Sequence, residues 1–429
     1  MRLPLIWLGV LFVLAFILPD RIWNTLLVGI GGMFLLSYVW VKMLATGLFA
    51  TRRLRFGWVA VGDQLEELFS LQNSSSIPAL WVEIIDYTNV PGYKTAVIRS
   101  VTHQSKIQWR ETAVCLQRGQ YQLGPWTIRS SDPFGLFAVS RHYPAVNDII
   151  IHPPIHTGIP IPLPSGESDG RIRARRRSLQ ATINAAGVRT YHPQDPFRWI
   201  HWPTSARRGA LFVRQFDLDA AGDIWILLDL QASMQLGDGL TGTEEHAVLL
   251  AASLSARALR QNRPVGLAVY GQTPHILPPQ RGMGQRWQIL RTLALVGSDD
   301  ATQEDETNLA QAIADLGKLA RRETAVIIIT PTQEQTWIPE LAALRQRGVQ
   351  ANLILLDRPS FGGDGNSYAI QDGVQRLGTS CHILHQGEIG NAPESGHRHG
   401  FWNFITTPTG HVVAVESPIE QRGKVQDAR

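Results

Sequence analysis

Cysteine is nearly absent from this sequence: 429 residues hold two, Cys115 and Cys381. Thiols so far apart form neither a disulfide framework nor a paired metal-ligand motif. Their apolar, strand-like surroundings instead suit buried free thiols in a reducing compartment. The short signatures of common chemistries are missing too. No Gly-x-x-x-x-Gly-Lys-Ser/Thr, Gly-x-Ser-x-Gly or His-Glu-x-x-His occurs, which removes the phosphate-loop, nucleophile-elbow and zinc-helix routes to activity. Gly282-Met283-Gly284 is a lone glycine pair ahead of a helix and reads as a cap rather than a phosphate cradle. Nor is there an excess of one charge: 40 basic against 36 acidic residues leave +4. That is a weak pointer to nucleic acid, which calls for a concentrated basic face.

What is present begins with hydrocarbon. Leu3 to Leu18 is uncharged and apolar, Pro19-Asp20-Arg21 interrupts it, and Ile22 to Val41 is a second apolar run. At 1.5 Å per residue the second reaches ~30 Å, the thickness of a bilayer core. No small-residue cleavage site precedes Pro19, so two membrane spans over residues 1–50 are expected rather than a secretory leader. Arg2, Lys42, Arg52, Arg53 and Arg55 flank the spans, while the tip carries only Asp20 and Arg21. The positive-inside rule then puts both ends, and all that follows, in the cytoplasm.

Residues 51–152 lose the helical period. Runs such as Leu65–Leu71, Leu80–Asp86 and Ile107–Leu116, separated by turn signals, predict a small antiparallel β-sandwich. Arg118-Gly119-Gln120-Tyr121 and Asp132-Pro133-Phe134-Gly135 read as its late connections. A Pro-, Gly- and Arg-rich linker follows over 153–186.

From Arg171 to Arg214 there are ten arginines and one acid, Asp195. Arg171 to Arg177 reads as a solvated connector with some attraction to anionic headgroups. Residues 187–220 differ in kind, because Tyr191, Trp199 and Trp202 interleave with Arg189, Arg198, Arg207 and Arg214. A guanidinium pairs with carboxylates and stacks on indoles, so Asp195 is expected to be a structural partner of Arg189, Arg198 or Arg207. The sharper reading makes Asp195 and His201 an acid and a base.

At these residues the chain resembles the domain-of-unknown-function 58 family of bacterial membrane proteins. The match runs through Gly187-Val188-Arg189-Thr190-Tyr191, Asp195, Arg198-Trp199-Ile200-His201-Trp202, Ser205-Ala206-Arg207 and Leu211-Phe212-Val213-Arg214. The upstream Asp132-Pro133-Phe134-Gly135-Leu136-Phe137 matches as well. Gln194 stands where the family has glycine. The resemblance implies signature positions at Arg189, Tyr191, Asp195, Arg198, Trp202 and Arg207. It also implies a candidate partner class, the MoxR-type AAA+ ATPases.

Over residues 221–420 apolar strands alternate with helices, which predicts a doubly wound, mostly parallel sheet. Ligands of such sheets bind beyond the carboxyl ends of the strands, so Asp229, Thr330 and Asp357 fall on the functional edge. The loop Asp229-Leu230-Gln231-Ala232-Ser233 looks like the metal-ion-dependent adhesion site of von Willebrand factor A domains. There a hard cation such as Mg²⁺ takes oxygens from an Asp-x-Ser-x-Ser loop, a threonine and a later aspartate. Asp229, Ser233 and Thr307 match. Gln231 and Pro331 do not, since proline has no side-chain oxygen, and the expectation is a degenerate site. Residues 421–429 read as a disordered tail.

Taken together, the residues predict a non-enzymatic, membrane-anchored adaptor without a cofactor, touching lipid and recruiting a protein through a degenerate A-type domain. Three rivals are a Mg²⁺-dependent binding module on the same fold, an envelope enzyme, and, last, a nucleic-acid binder.

Overall fold

A computed structural model describes residues 2–17, 20–54, 59–164, 185–193, 195, 197–216, 222–271, 274–298, 308–322, 324–389, 402–406 and 412–416. The chain divides into two compact units, the first built mainly of residues 1–154 and the second mainly of 155–391.

The first unit opens with α1 (Arg2–Ile17) packed against α2 (Arg21–Gly47). Among the described residues only α2 is long and apolar enough to cross a membrane. It is also longer than its apolar run: 27 residues, or ~40 Å at 1.5 Å each. The extra length is the last two turns, where Leu44 and Gly47 are buried against the β-strands that follow. A Cβ at Gly47 would stand 2.6 Å from the Ser75 backbone nitrogen, so only glycine lets the helix end this close to the next chain segment. Arg141 and Ser74 cap the freed carbonyls, with Arg141 Nη2 donating to Ala45 O at 2.8 Å and Ser74 N–H to Gly47 O at 2.8 Å.

Ten strands follow: β1 (Leu48–Leu54), β2 (Val59–Ala60), β3 (Gln64–Asn73), β4 (Ala79–Asp86), β5 (Ala96–Val101), β6 (Ser105–Val114), β7 (Gly119–Leu123), β8 (Trp126–Ser131), β9 (Ala138–Tyr143) and β10 (Asn147–His152). They form sheets ordered β1-β3-β6, β5-β4-β8-β9 and β2-β10-β7. The first two are antiparallel and share one core of Leu48, Phe69, Leu71, Val82, Ile84, Trp126 and Ile128. The β2–β10 pair is parallel, a departure from the all-antiparallel reading. β1, β7 and β9 were not anticipated, because Arg52-Arg53, Gln120-Tyr121-Gln122 and Ser140-Arg141-His142 look like loop. Each is held by ladder bonds to a more apolar neighbour, and such context outweighs the propensity of the strand itself.

Arg52 is also not a free flanking charge. Its side chain is 3% exposed between two carboxylates, with Nη1 on Asp86 and Nε 3.8 Å from Glu67 Oε1. Nη2 donates to Leu123 O at 2.9 Å, the Tyr93 hydroxyl donates to Glu67 Oε2, and Gly124 N–H donates to Asp86 Oδ1 at 3.1 Å. Burial pushes both carboxyls above their ordinary range, and Arg52 opposes the shift at each.

In the second unit, residues 155–164, part of the stretch read as linker, run extended and are gripped by Arg257 of a later helix and by Arg263 just beyond that helix. Arg257 donates to Ile159 O at 3.0 Å and also to Ile161 O, while Arg263 Nη1 donates to Pro164 O at 2.6 Å. Burial depresses the pKa of both guanidinium groups. β11 (Ala185–Thr190) and β12 (Phe212–Phe216) pair antiparallel around α3 (Trp202–Arg208).

The main sheet contains β13 (Ile224–Asp229), β14 (Val265–Tyr270), β15 (His275–Gln280), β16 (Ala325–Thr330), β17 (Gln350–Leu356) and β18 (Ser380–Leu384). Its helices are α4 (Thr243–Arg260), α5 (Gly282–Leu295), α6 (Leu309–Leu319), α7 (Ile338–Gln346) and α8 (Ser367–Arg376). The strand order β15-β14-β13-β16-β17-β18 is the doubly wound order, reversing between β13 and β16. All pairs are parallel except β14–β15. β15 was not anticipated; its Pro278 and Pro279 lack ladder donors, which suits an edge strand. β13, β14 and β16 are buried throughout, as continuous apolar runs require. Further on, β19 (Trp402–Thr406) and β20 (Val412–Glu416) pair antiparallel. A late strand at His411–Val415 was expected, its partner was not.

Candidate functional site at the carboxyl edge of the main sheet

Alternate residues of a strand share a face. Trp225 and Leu227 of β13, Ala268 of β14, Val326 and Ile328 of β16 and Leu353 and Leu355 of β17 lie in one core with α6 and α7. The next residue of the same parity at each carboxyl end is Asp229, Tyr270, Thr330 and Asp357. Four polar groups therefore form a row at the edge, with the β13/β16 reversal in its middle. Asp229 is 2% exposed and Thr330 fully buried.

Both Asp229 oxygens have protein donors. Thr330 Oγ1–H gives a 2.6 Å hydrogen bond to Oδ2, and Gln231 N–H one of 3.1 Å to Oδ1. Thr330 Oγ1 in turn accepts Thr332 N–H at 2.9 Å. Thus the sequence that puts Pro331 in place of an aspartate puts a hydroxyl immediately before it, and that hydroxyl occupies the carboxylate. Gln235 Nε2 donates to Asp229 O at 3.2 Å, and its Oε1 accepts from the Thr243 hydroxyl at 2.8 Å. Ser233 is exposed in the short 3-10 turn that follows Gln231. Thr307 lies outside the described residues; α6 begins on Asn308, whose side chain caps Gln311 N–H at 2.9 Å.

Asp357, two strands along, is 7% exposed. Its Oδ1 accepts from the Ser367 hydroxyl at 2.7 Å and its Oδ2 pairs with His385 Nδ1 at 3.0 Å. Arg358 Nη1 reaches back to Met234 O at 3.0 Å, and Gln386 Nε2 to Thr241 O at 3.0 Å. The loops after β13, β17 and β18 are thereby tied into one platform, from which Leu240 (52% exposed) and Tyr368 (62% exposed) project. Sequence reading found Asp229, Thr330 and Asp357 but missed Gln235, Thr243, Arg358, Ser367 and His385. Their partners lie 8 to 124 residues away, and no local pattern signals such pairing. Next to them, the Tyr270 hydroxyl has no hydrogen-bond partner among the described residues, and burial, then the Asp315 carboxylate, push its pKa up.

The described donors alone do not make a divalent-ion site, and residues 299–307, Thr307 included, lie outside them. No group of three or more His, Cys, Asp or Glu side chains stands together among the described residues. Mg²⁺ at Asp229 would have to displace two described hydrogen bonds from that carboxylate.

The signature positions lie on the β11–β12 hairpin. Arg189 faces Val213 across the ladder. The Tyr191 ring is 5.8 Å from that of Phe197, and its N–H donates to Leu211 O at 2.8 Å. Asp195 closes a local turn, accepting His192 N–H at 2.9 Å and donating its own N–H to His192 O at 2.8 Å. Arg198 is in a single 3-10 turn, Trp202 opens α3 at 64% exposure, and Arg207 is exposed in its last turn. His201 caps α3, accepting Thr204 N–H at 3.3 Å. Both members of the supposed acid–base pair are thus engaged in local backbone geometry.

The second unit is therefore a mixed α/β, doubly wound domain whose candidate site is a hydrogen-bonded polar edge. Over residues 187–358 the chain matches the model of the family described as "Protein of unknown function DUF58". It is 25% identical over 213 residues to "Uncharacterized protein YeaD" of Bacillus subtilis, covering 50% of each chain. It is 28% identical over 171 residues to "Uncharacterized protein Rv1480" of Mycobacterium tuberculosis, covering 39% of this chain and 53% of the other. The chain thus spans about half the length of these curated relatives. Solved structures similar to it include an aerotolerance-related membrane protein from Bacteroides fragilis (18% identity, TM-score 0.29, 38% of this chain and 90% of that one). The SpRpn10 VWA domain is another (16%, 0.26, 38% and 87%).

Proposed function

We propose that this protein is a non-enzymatic adaptor that α1 and α2 hold as two spans in the bacterial cell membrane, with both folded units in the cytoplasm. Its carboxyl-edge platform binds a protein partner. The observation that carries the reading is the platform itself, three loops cross-linked by Arg358, Gln386 and the Asp357 pair and presenting Leu240 and Tyr368 to solvent. Rigid loops that expose an aromatic and an aliphatic anchor suit protein recognition, since little ordering entropy is lost on binding. The polar row beneath stabilises the platform through hydrogen bonds that include the Asp357–His385 pair and the Ser367 hydroxyl.

The partner class implied by the family resemblance is a MoxR-type AAA+ ATPase. The test is pull-down of a purified MoxR-type ATPase from the same organism by the full chain in detergent. Retention by the native chain, lost on Tyr368→Ala with Leu240→Arg, is the expected result. Equal retention by native and doubly substituted chains overturns the site. Retention that needs Mg²⁺ and disappears with Asp229→Ala favours the metal-dependent rival.

A further inference from the structure

We propose that the turn Asp132–Phe137 is a wedge that enters the membrane surface beside α2, with Phe134 among the upper acyl chains of an anionic phospholipid bilayer. The inference rests on the reading that α2 crosses the membrane.

The turn is built to face outward with little exposed polarity. Asp132 is 1% exposed. Its Oδ2 accepts Phe134 N–H at 2.9 Å, its Oδ1 accepts Phe137 N–H at 2.7 Å, and its carbonyl accepts Gly135 N–H at 3.1 Å. Gly135, at φ +71°, supplies the left-handed residue that lets the chain reverse. With the backbone donors turned inward, the tip offers Pro133, Phe134 and Gly135, and Phe134 is 60% exposed.

Placement, rather than exposure, carries the proposal, because single exposed apolar residues are common on soluble surfaces. Phe137 packs edge-on against Phe34 and Tyr38 of α2, with ring centroids 6.0 and 5.9 Å apart. Phe34, Ser37 and Tyr38 share one helix face at i, i+3 and i+4, and Ser37 between them is buried. These residues belong to the apolar run that ends before Lys42. Phe34 and Tyr38 precede that charge by ~12 and ~6 Å along the axis. A segment held against them lies below the level of the lysine, at the ~5–10 Å depth where amphipathic segments rest. The rim carries the matching charge. Lys42 Nζ is 5.8 Å from the Tyr38 ring centroid, and the Arg141 guanidinium is 4.1 Å from that of Phe49. Both are placed to meet anionic headgroups.

The test uses the full chain in vesicles of phosphatidylglycerol and phosphatidylethanolamine. An environment-sensitive fluorophore is attached at Phe134→Cys, at Val28→Cys on α2 (75% exposed) or at Ile98→Cys on β5 (61% exposed). The native thiols compete little, because burial pushes Cys115 and Cys381 up to about 11. Lipids bearing a nitroxide high or low on the acyl chain then quench the label by depth. Expected are strong quenching at Val28, quenching at Phe134 that is several-fold greater with the shallow nitroxide than the deep one, and none at Ile98. Quenching at Val28 but not at Phe134 overturns the wedge and leaves the span standing. No quenching at either overturns both. A Phe134 label shielded from lipid nitroxide and from aqueous iodide alike means that a protein covers the turn, which also overturns the wedge.

Discussion

Two buried carboxylate sites, one in each unit, handle charge in opposite ways. In the β-module Glu67 and Asp86 share a single guanidinium, Arg52, and Glu67 also accepts from the phenol of Tyr93. At the edge of the main sheet the described side-chain bonds of Asp229 come from neutral donors, the Thr330 hydroxyl and the Gln231 amide. The first cluster holds more negative charge than its one cation balances, so burial raises both acids. It joins β1, β3 and β4 at the root of α2, where a rigid joint is useful. The second is a carboxylate whose described hydrogen bonds fix the loop that follows β13. The comparison teaches that a perturbed carboxyl marks a site of tight packing as readily as one of chemistry.

The most severe way to disturb this contrast is to remove the cation. Arg52→Met leaves two carboxylates buried without it and should cost about 3–5 kcal/mol, read as a lowered denaturation midpoint of the β-module. The corresponding change at the sheet edge is milder. Asp229→Ala leaves the Thr330 hydroxyl and Gln231 N–H without their acceptor and should cost about 1–3 kcal/mol. Adding millimolar Mg²⁺ should shift the melting temperature of neither the native chain nor this variant. A shift in the native chain alone would mean that the edge holds an ion.

The same contrast predicts a pH dependence. Burial holds the folded-state pKa of Glu67 above its ordinary 4.5. A carboxyl of this kind binds its proton more tightly in the folded chain than in the unfolded one. Its contribution to stability is therefore fully present below 4.5 and falls as pH rises from there through the raised value. Glu67→Gln should remove its share of that slope, leaving the share of Asp86, while keeping an acceptor for Tyr93. Unfolding midpoints taken at intervals from pH 4 upward check this, and an unchanged slope would contradict it. A smaller effect is expected where Arg257 grips the strap at 155–164. Arg257→Ala should speed proteolytic cleavage near Ile159–Ile161 with little loss of global stability. Smallest of all for stability, Tyr368→Ala should change it by no more than about 0.5 kcal/mol, as for other exposed positions.

The main sheet was legible because its central strands are apolar on both faces, as Ile224–Leu228 and Ala325–Ile329 show without any partner in view. The β-module was less so. β1 carries Arg52 and Arg53, and only the register Arg52↔Phe69 and the ion pairs explain why it is a strand. Thr330 was placed on the functional edge from the sequence, yet its bond to Asp229 could not be foreseen, because it joins residues 101 apart. Asp195 was expected to pair with Arg189, Arg198 or Arg207; its described bonds are to the His192 backbone, and the side chains of Arg189 and Arg198 lie outside the described residues. The turn at Asp132 was read correctly as turn chemistry, but its place against Phe34 and Tyr38 depends on where α2 and β9 meet.

The claim on which the account turns is that the carboxyl-edge platform of a membrane-held chain binds another protein. Photo-cross-linking from Tyr368 in intact cells tests it most directly, with Ile98 as the control position. The account predicts a discrete protein adduct, found in the membrane fraction, from Tyr368 and not from Ile98. No adduct, the same adduct from both positions, or recovery of the chain in the aqueous fraction would contradict it.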